Sequence, residues 1–120
     1  MKSKATIHIT NLALRTIVGA NDWERNKKQD VIINIAMTFD PSEAIDSDDI
    51  HDTLDYKKIK HRVVNLVENS RYYLLEKLTA SIAGSVMENE RVIWTSVRVD
   101  KPHALRFADS VSVEIEAKRK

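Results

Sequence analysis

Residues 99 to 116 read VDKPHALRFADSVSVEIE, and two different patterns meet within them. In the second half, Val111, Val113 and Ile115 alternate with polar residues, and this period of two predicts a strand with one buried face. The first half places charged residues around a proline at position 102, which is expected to interrupt regular structure: Asp100, Lys101, His103, Arg106 and Asp109. So many charges beside a strand need an explanation beyond the strand pattern.

Two more alternating stretches lie near the start of the chain. The first runs from Thr6 to about Val18, and its alternation slips near Thr10 and Asn11, which indicates a β-bulge or bend. The second covers residues 31 to 39 and follows the polar connection NDWERNKKQ. Together they predict a long antiparallel hairpin, with two further strands over residues 92 to 100 and 110 to 117.

Apolar residues at helical spacing predict two helices in the middle of the chain. One carries Ile59 and Val63, with Asp55 as its N-cap, and the other follows NSRYY and carries Leu78 and Ile82. The acidic residues 41 to 56 predict at most one short helical turn. The order ββααββ predicts one α+β domain over residues 1 to 120, a four-stranded antiparallel sheet with two helices on one face. Its open edges and uncovered face predict assembly into a multimeric barrel.

The composition excludes several classes of protein. The chain has 120 residues, of which 42% are hydrophobic and 31% charged, as expected for one globular domain. Nineteen basic and 18 acidic residues give a formal charge of +1, which leaves no electrostatic footprint for nucleic acid. No apolar run is long enough for a membrane span and MKSKATIHIT lacks the apolar core of a signal peptide, so a cytoplasmic location is expected.

Several kinds of catalytic site are also disfavoured. The absence of cysteine excludes disulfides, a thiolate nucleophile and cysteine-based zinc sites. Neither glycine flanks a serine as a nucleophile elbow requires. The histidines lack the i, i+4 spacing of a helical metal pair: His8, His51, His61 and His103. No metal or other cofactor is therefore expected.

Four motifs carry a family resemblance: GANDWE (19 to 24), TLDY (53 to 56), LLEKL (74 to 78) and VDKPHALRFADSV (99 to 111). With the order of elements, they resemble the tunnelling-fold (T-fold) pterin enzymes of the dihydroneopterin aldolase family over essentially the whole chain. The resemblance implies a small-molecule pterin substrate and a homo-octamer of two stacked four-subunit rings with sites at subunit interfaces. It implies no nucleic-acid or membrane partner.

Within that family, two reactions are implied. LRTIVG (14 to 19), VENSRYYLLEKLT (67 to 79) and DKPHALRFADSV favour epimerisation at C2′ of 7,8-dihydroneopterin triphosphate to dihydromonapterin triphosphate. This reaction proceeds by retro-aldol cleavage and aldol re-addition under acid-base catalysis, without a metal or Schiff base. NDWE (21 to 24) instead resembles the aldolases of folate biosynthesis, which release 6-hydroxymethyl-dihydropterin and glycolaldehyde. A pterin-binding oligomer without catalysis is a further alternative.

The resemblance also implies catalytic residues. Lys101 corresponds to the catalytic lysine, and Glu24 to the carboxylate that works with it through a water network. Tyr56 corresponds to a tyrosine that a neighbouring subunit contributes over the substrate. The plainer interpretations are a solvated lysine in a turn, a surface glutamate in a polar loop and a packing tyrosine in the first turn of a helix.

Substrate-binding residues are implied in the same way. Glu76 corresponds to the carboxylate that accepts the paired N–H groups of the pterin, with backbone groups of Leu75 beside it. Leu54 corresponds to the residue that lines the same wall of the site as Tyr56. His103 and Arg106 are expected to hold the phosphates or to brace their loop. The plainer interpretations are that Glu76 complements the helix dipole and that His103 and Arg106 form ion pairs with Asp100 and Asp109.

Overall fold

A computed structural model describes residues 3 to 120 as a curled sheet packed against two helices. The strands are β1 (Ala5–Val18), β2 (Gln29–Phe39), β3 (Arg71–Tyr72), β4 (Trp94–Pro102) and β5 (Ser110–Lys118). The helices are α1 (Ser42–Ser47), α2 (Tyr56–Glu68) and α3 (Leu75–Met87), with 3₁₀ turns at Asp22–Glu24 and Ile50–Asp52. The predicted α+β order is confirmed. The acidic stretch contains α1 and a separate 3₁₀ turn, which is more than the single short helical turn predicted.

The sheet contains one strand more than predicted, and its order is β3-β1-β2-β4-β5. β1, β2, β4 and β5 form the predicted antiparallel arrangement, whereas β3 pairs in parallel with the end of β1 through Ile17↔Arg71 and Val18↔Tyr72. The sheet is therefore mixed. β4 begins and ends two residues later than predicted, because Pro102 is its last residue and pairs with Ser110. Pro102 lacks a backbone N–H, so it suits a strand end.

The register slip in β1 is a β-bulge, as the sequence predicts. The pairing of β1 with β2 shifts between Ile9 and Leu12, and Asn11 has a φ of 53°. Asparagine tolerates this conformation better than most residues, and the Asn11 backbone N–H donates to Asn34 Oδ1 at 2.9 Å. The bulge bends the long hairpin and keeps apolar residues of β1 on one face on both sides of the slip.

The hydrophobic core lies between one sheet face and helices α2 and α3. Alternate residues of β2 are buried there: Val31, Ile33, Ile35, Met37 and Phe39. They meet Ile59 and Val63 of α2 and Leu78 and Ile82 of α3 in one cluster. Each such side chain contributes roughly 1.5–3 kcal/mol on burial. The predicted cap of α2 is confirmed, since Asp55 accepts a hydrogen bond from the Lys58 backbone N–H at 3.1 Å.

The outer edges of the sheet and one of its faces are left uncovered within the part of the chain that the structure describes. Within residues 3 to 120 no strand pairs with the outer edge of β5 or with the outer edge of β1 before Ile17. Residues of the opposite parity, such as Asn34 and Arg98, lie on the sheet face away from the core cluster. In the same range, every helix is too short or too polar to cross a membrane.

Candidate active site

A buried carboxylate lies at the end of the sheet where β1 stops and β2 begins. Glu24 ends the short 3₁₀ turn, and only 3% of it is exposed. Its Oε1 accepts hydrogen bonds from the Asn21 backbone N–H at 3.2 Å and from Asn21 Nδ2 at 3.0 Å. Gly19 makes room for it: Gly19 has a φ of 143°, and a Cβ there would overlap all three atoms of the Glu24 carboxylate. The carboxylate therefore packs against bare backbone.

The second oxygen of Glu24 contacts residues that are far apart in the sequence. Glu24 Oε2 accepts a hydrogen bond from Gln29 Nε2 at 3.0 Å and forms an ion pair with Lys101 Nζ. Lys101 projects from the end of β4, opposite Val111 of β5, and its side chain is 15% exposed. The lysine of the charged turn is thus not a solvated surface group, and the glutamate of the polar loop is not on the surface. The two predicted catalytic residues are brought together.

Three hydrogen bonds and a neighbouring charge fix the charge state of Glu24. Burial on its own raises the pKa of Glu24, but hydrogen bonds from Gln29, Lys101 and the Asn21 backbone, together with the Lys101 charge, outweigh it and lower that pKa from 4.5 to about 2. Glu24 is therefore an anion at neutral pH, and both of its carboxylate oxygens already accept hydrogen bonds. It is suited to hold and orient the Lys101 ammonium, and Lys101 is the group placed to exchange a proton with a ligand.

The loop that carries Glu24 is fastened to the segment that leads into α3. The Arg25 guanidinium donates to the carbonyl oxygens of Gly19, Tyr72 and Arg71 at 3.0, 3.1 and 2.6 Å and lies 3.8 Å from the centre of the Tyr73 ring. The Gly19 backbone N–H also donates to the Tyr72 carbonyl at 3.2 Å. Because of these contacts, the start of α3 and the Lys101–Glu24 pair lie at the same end of the molecule.

The start of α3 offers polar groups to a ligand at that end. Its N-cap is Leu74, which supplies no side-chain hydrogen bond, so the first-turn N–H groups of Leu75 and Glu76 are open. Leu75 is half-buried and Glu76 is exposed. The Glu76 carboxylate makes no hydrogen bond or ion pair with the residues between 3 and 120. A free carboxylate next to free N–H groups can bind a flat ring edge that carries both donors and acceptors.

Tyr56 and Leu54 lie elsewhere in the same chain. The far end of α2 is held to β1, since Thr16 Oγ1 donates to the Val67 carbonyl at 2.6 Å, and Thr16 pairs with Gln29 beside the carboxylate. A rise of 1.5 Å per residue puts Tyr56 about 16 Å from Val67 along the helix axis. Tyr56 is 49% exposed, whereas Leu54 is 1% exposed and packs in the core. One chain therefore does not bring them to the Lys101–Glu24 pair.

His103 and Arg106 lie in an exposed loop that directly follows Lys101 and Pro102. Neither forms an ion pair with Asp100 or Asp109: Asp100 instead pairs with Arg98 at 2.9 Å and accepts from Ser110 Oγ at 2.7 Å. The Arg106 guanidinium lies 5.5 Å from the ring of Phe107, which is fully exposed. The Arg106 guanidinium and the His103 imidazole are thus exposed to an anionic ligand near Lys101.

Three residues of this site were not among the predicted ones. Asn21 and Gly19 occur in the GANDWE motif, but their contacts with Glu24 follow only from the folded loop. Gln29 gives no sequence signal, because its position beside Glu24 depends on the pairing of β2 with β1. Across residues 3 to 120, no group of three or more His, Asp or Glu side chains is arranged to hold a metal ion.

Comparisons with known proteins agree on one family. The profile of the family described as dihydroneopterin aldolase matches residues 7 to 116. The chain is 41% identical over 115 residues to the dihydroneopterin triphosphate 2′-epimerase of Escherichia coli K12, covering 96% of both chains. It is 42% identical to the epimerase of Pseudomonas aeruginosa, covering 96% of this chain and 94% of that one. The E. coli dihydroneopterin aldolase is more distant, at 33% identity over 92% of this chain and 90% of its own.

Solved structures give the same result for the fold. The crystal structure of a Vibrio cholerae protein assigned as dihydroneopterin aldolase has a TM-score of 0.92 at 33% identity, covering 98% of this chain and 99% of its own. The E. coli dihydroneopterin aldolase, solved in complex with neopterin, has a TM-score of 0.89 at 32% identity, covering 94% and 98%.

Proposed function

The chain belongs to the dihydroneopterin aldolase family, whose profile it matches over residues 7 to 116, and we propose that it epimerises dihydroneopterin triphosphate at C2′. The observation that carries this proposal is the ion pair of Lys101 with the buried, ionised Glu24 at the open start of α3. The choice of reaction is supported by the 41–42% identity to epimerases against 33% to an aldolase.

In this proposal, the pterin ring binds at the start of α3. The Glu76 carboxylate accepts the paired N–H groups of the ring, and the open N–H groups of Leu75 and its neighbours donate to ring acceptors. The C6 side chain of the ring then points towards Lys101. A neopterin complex of a related aldolase supports the choice of ligand class.

The chemistry needs only proton movement at Lys101. The Lys101 ammonium first gives a proton to the ring imine nitrogen, and the resulting amine takes the 2′-hydroxyl proton. The C1′–C2′ bond then breaks, and its electron pair flows into the protonated imine, which forms an enamine. The released fragment is a glycolaldehyde that carries the triphosphate on its other carbon. If the aldehyde rotates and presents its opposite face before the enamine attacks it again, the new bond has the inverted C2′ configuration. The alkoxide that forms recovers its proton from Lys101. Glu24 keeps the lysine in place throughout.

Retention of the fragment decides between the two family reactions. If the aldehyde leaves before the bond re-forms, the enamine is protonated and the products are those of an aldolase. We propose that His103 and Arg106 hold the triphosphate and thereby retain the fragment. Aldolase activity is the second candidate, supported by the NDWE motif and by the 33% identity to E. coli dihydroneopterin aldolase.

The complete site is proposed to lie between subunits of an octamer. Tyr56 lies far from Lys101 in its own chain, so a second subunit has to supply it. Large apolar side chains are exposed at both places: Trp23, Tyr73 and Leu74 near the carboxylate, and Ile50 and Tyr56 near the start of α2. These surfaces and the free edges of β1 and β5 support assembly into a ring.

Product analysis tests the proposed reaction. The purified protein is incubated separately with dihydroneopterin triphosphate and with dihydroneopterin, and products are separated by chromatography. We expect the 2′-inverted triphosphate, and we expect Lys101→Met, which keeps the chain length but removes the charge, to abolish it. Hydroxymethyl-dihydropterin and glycolaldehyde as dominant products would favour the aldolase, and no conversion of either compound would favour a binding protein.

Mixed oligomers test the shared site. Lys101→Met and Tyr56→Ala chains are each expected to be inactive alone. After co-refolding in equal amounts, about a quarter of the sites combine an intact Lys101 with an intact Tyr56 from the neighbour, so activity returns to about a quarter of wild type. Mixtures that stay inactive would contradict a site shared between chains.

A further inference from the structure

The side-chain amide of Gln29 bridges the backbone and the catalytic carboxylate. Gln29 is the first residue of β2 and is half-buried. Its Nε2 donates to the Val18 carbonyl oxygen at 3.1 Å and to Glu24 Oε2 at 3.0 Å. The pairing of Gln29 with Thr16 fixes the start of its side chain. Both hydrogens of one NH₂ group are thus used, one on a rigid strand and one on the oxygen that faces Lys101.

An uncharged double donor is the chemical type that this position requires. Two acceptors, the Val18 carbonyl and Glu24 Oε2, converge on one atom, and a glutamate at position 29 would leave both without a donor. A lysine there would satisfy both but would add a second cation to Glu24, in competition with Lys101. The amide fixes the direction of the carboxylate and leaves its charge to Lys101.

We propose that Gln29 is a positioning residue of the reaction, which locks Glu24 so that its negative charge is directed at Lys101. This inference rests on the proposed function. The pterin anchor at Glu76 lies on a different element, so loss of the Gln29 amide should impair turnover while substrate binding stays nearly unchanged. Misplacement of a catalytic group by about 1 Å can cost up to about 10²-fold in rate.

The electrostatic surroundings of Glu24 are simple enough to make the test specific. Among the described residues, the charged side chain that meets Glu24 from another element is Lys101 of β4. Arg25 in the same loop is directed to the carbonyls of Gly19, Arg71 and Tyr72 instead. A shift in the titration of Glu24 on substitution of Gln29 therefore reports the loss of the amide hydrogen bond.

The variants are Gln29→Met, which keeps the length but removes the donors, and Gln29→Lys, which keeps donors but adds a charge. Asn34→Leu is the matched control, because Asn34 is an amide of the same strand that binds Asn11 and not Glu24. For Gln29→Met we expect kcat to fall about 10- to 100-fold with KM within about twofold, and the acidic limb of the pH profile to move to higher pH. Gln29→Lys should fold as wild type and also lose kcat, and Asn34→Leu should leave the pH profile unchanged.

A direct titration of Glu24 by carbon-13 NMR in the full-length protein separates this inference from the proposed function. A Glu24 titration that is the same in wild type and Gln29→Met, or a Gln29→Lys variant with full kcat, would overturn the positioning role. If the wild-type protein converted neither substrate, the proposed function would fail, and an upward shift of the Glu24 titration in Gln29→Met would still support the hydrogen-bond lock.

Discussion

The substitution Gly19→Ala tests whether the carboxylate depends on bare backbone beside it. An alanine Cβ would overlap the carboxyl carbon and both oxygens of Glu24, and the φ of 143° disfavours any residue with a Cβ. Glu24 must then move, and it loses its contacts with Lys101, Gln29 and Asn21 together. The backbone cannot easily yield instead, because the Gly19 N–H and carbonyl are both hydrogen-bonded to the 71–73 segment or Arg25.

Two terms set the size of the effect on stability. Backbone strain at such a φ costs about 1–3 kcal/mol. The partners that Glu24 leaves behind cost about 1–3 kcal/mol more. The free energy of unfolding should therefore fall by about 2–6 kcal/mol, a large part of the 5–15 kcal/mol typical of a domain. Turnover should fall by at least about 100-fold even where the protein stays folded, because the Lys101–Glu24 geometry is lost.

Urea unfolding and steady-state turnover of the same samples measure both effects. Gly84→Ala is the matched control: Gly84 is an exposed residue inside α3, and a Cβ there meets nothing within 4 Å. It should gain about 0.5–1 kcal/mol from better helix propensity and keep full activity. The reasoning is refuted if Gly19→Ala behaves like Gly84→Ala in both assays.

Three further predictions concern charge. The pKa of Glu24 in the folded protein is about 2, below the usual 4.5, so this carboxylate contributes about 3 kcal/mol of stability above about pH 4.5. That contribution is lost as the pH falls towards 2, and urea unfolding from pH 2 to 7 should show the loss for wild type and not for Glu24→Gln. Lys58→Glu at the third position of α2 should raise Tm by about 2–4 °C, since a carboxylate suits a helix N-terminus and a lysine does not, and an unchanged or lower Tm would count against it. Arg106→Ala should raise KM about tenfold for the triphosphate and leave KM for dihydroneopterin unchanged; equal changes would exclude a phosphate role.

Local sequence patterns were sufficient to predict most of the fold. The period of two located four strands, and the slip near Thr10 and Asn11 located the bulge. The cap at Asp55 followed from residue type alone. β3 was missed because Arg71 and Tyr72 carry no periodicity; they form a strand only because β1 is beside them, and pairing of this kind depends on tertiary context.

For the site, the sequence indicated which residues take part but not how they are arranged. Family motifs singled out Lys101 and Glu24, and the structure brings them together. Their arrangement depends on contacts that no motif encodes: the amide of Gln29, the missing Cβ of Gly19 and the carbonyls held by Arg25. The roles of Glu76, Leu75, Leu54, Tyr56, His103 and Arg106 stay predictions, as do the catalytic roles of Lys101 and Glu24.

The ion pair of Lys101 and Glu24 joins residues that are 77 positions apart in the chain. It requires the β1–β2 hairpin to be closed and β4 to be docked on β2, so its formation waits for contacts with a high entropic cost of loop closure. A newly made chain that has formed its hairpin and helices still lacks the Lys101–Glu24 pair, to which we assign catalysis. Return of activity after dilution from denaturant consequently follows completion of the sheet, and it lags behind the recovery of helical signal.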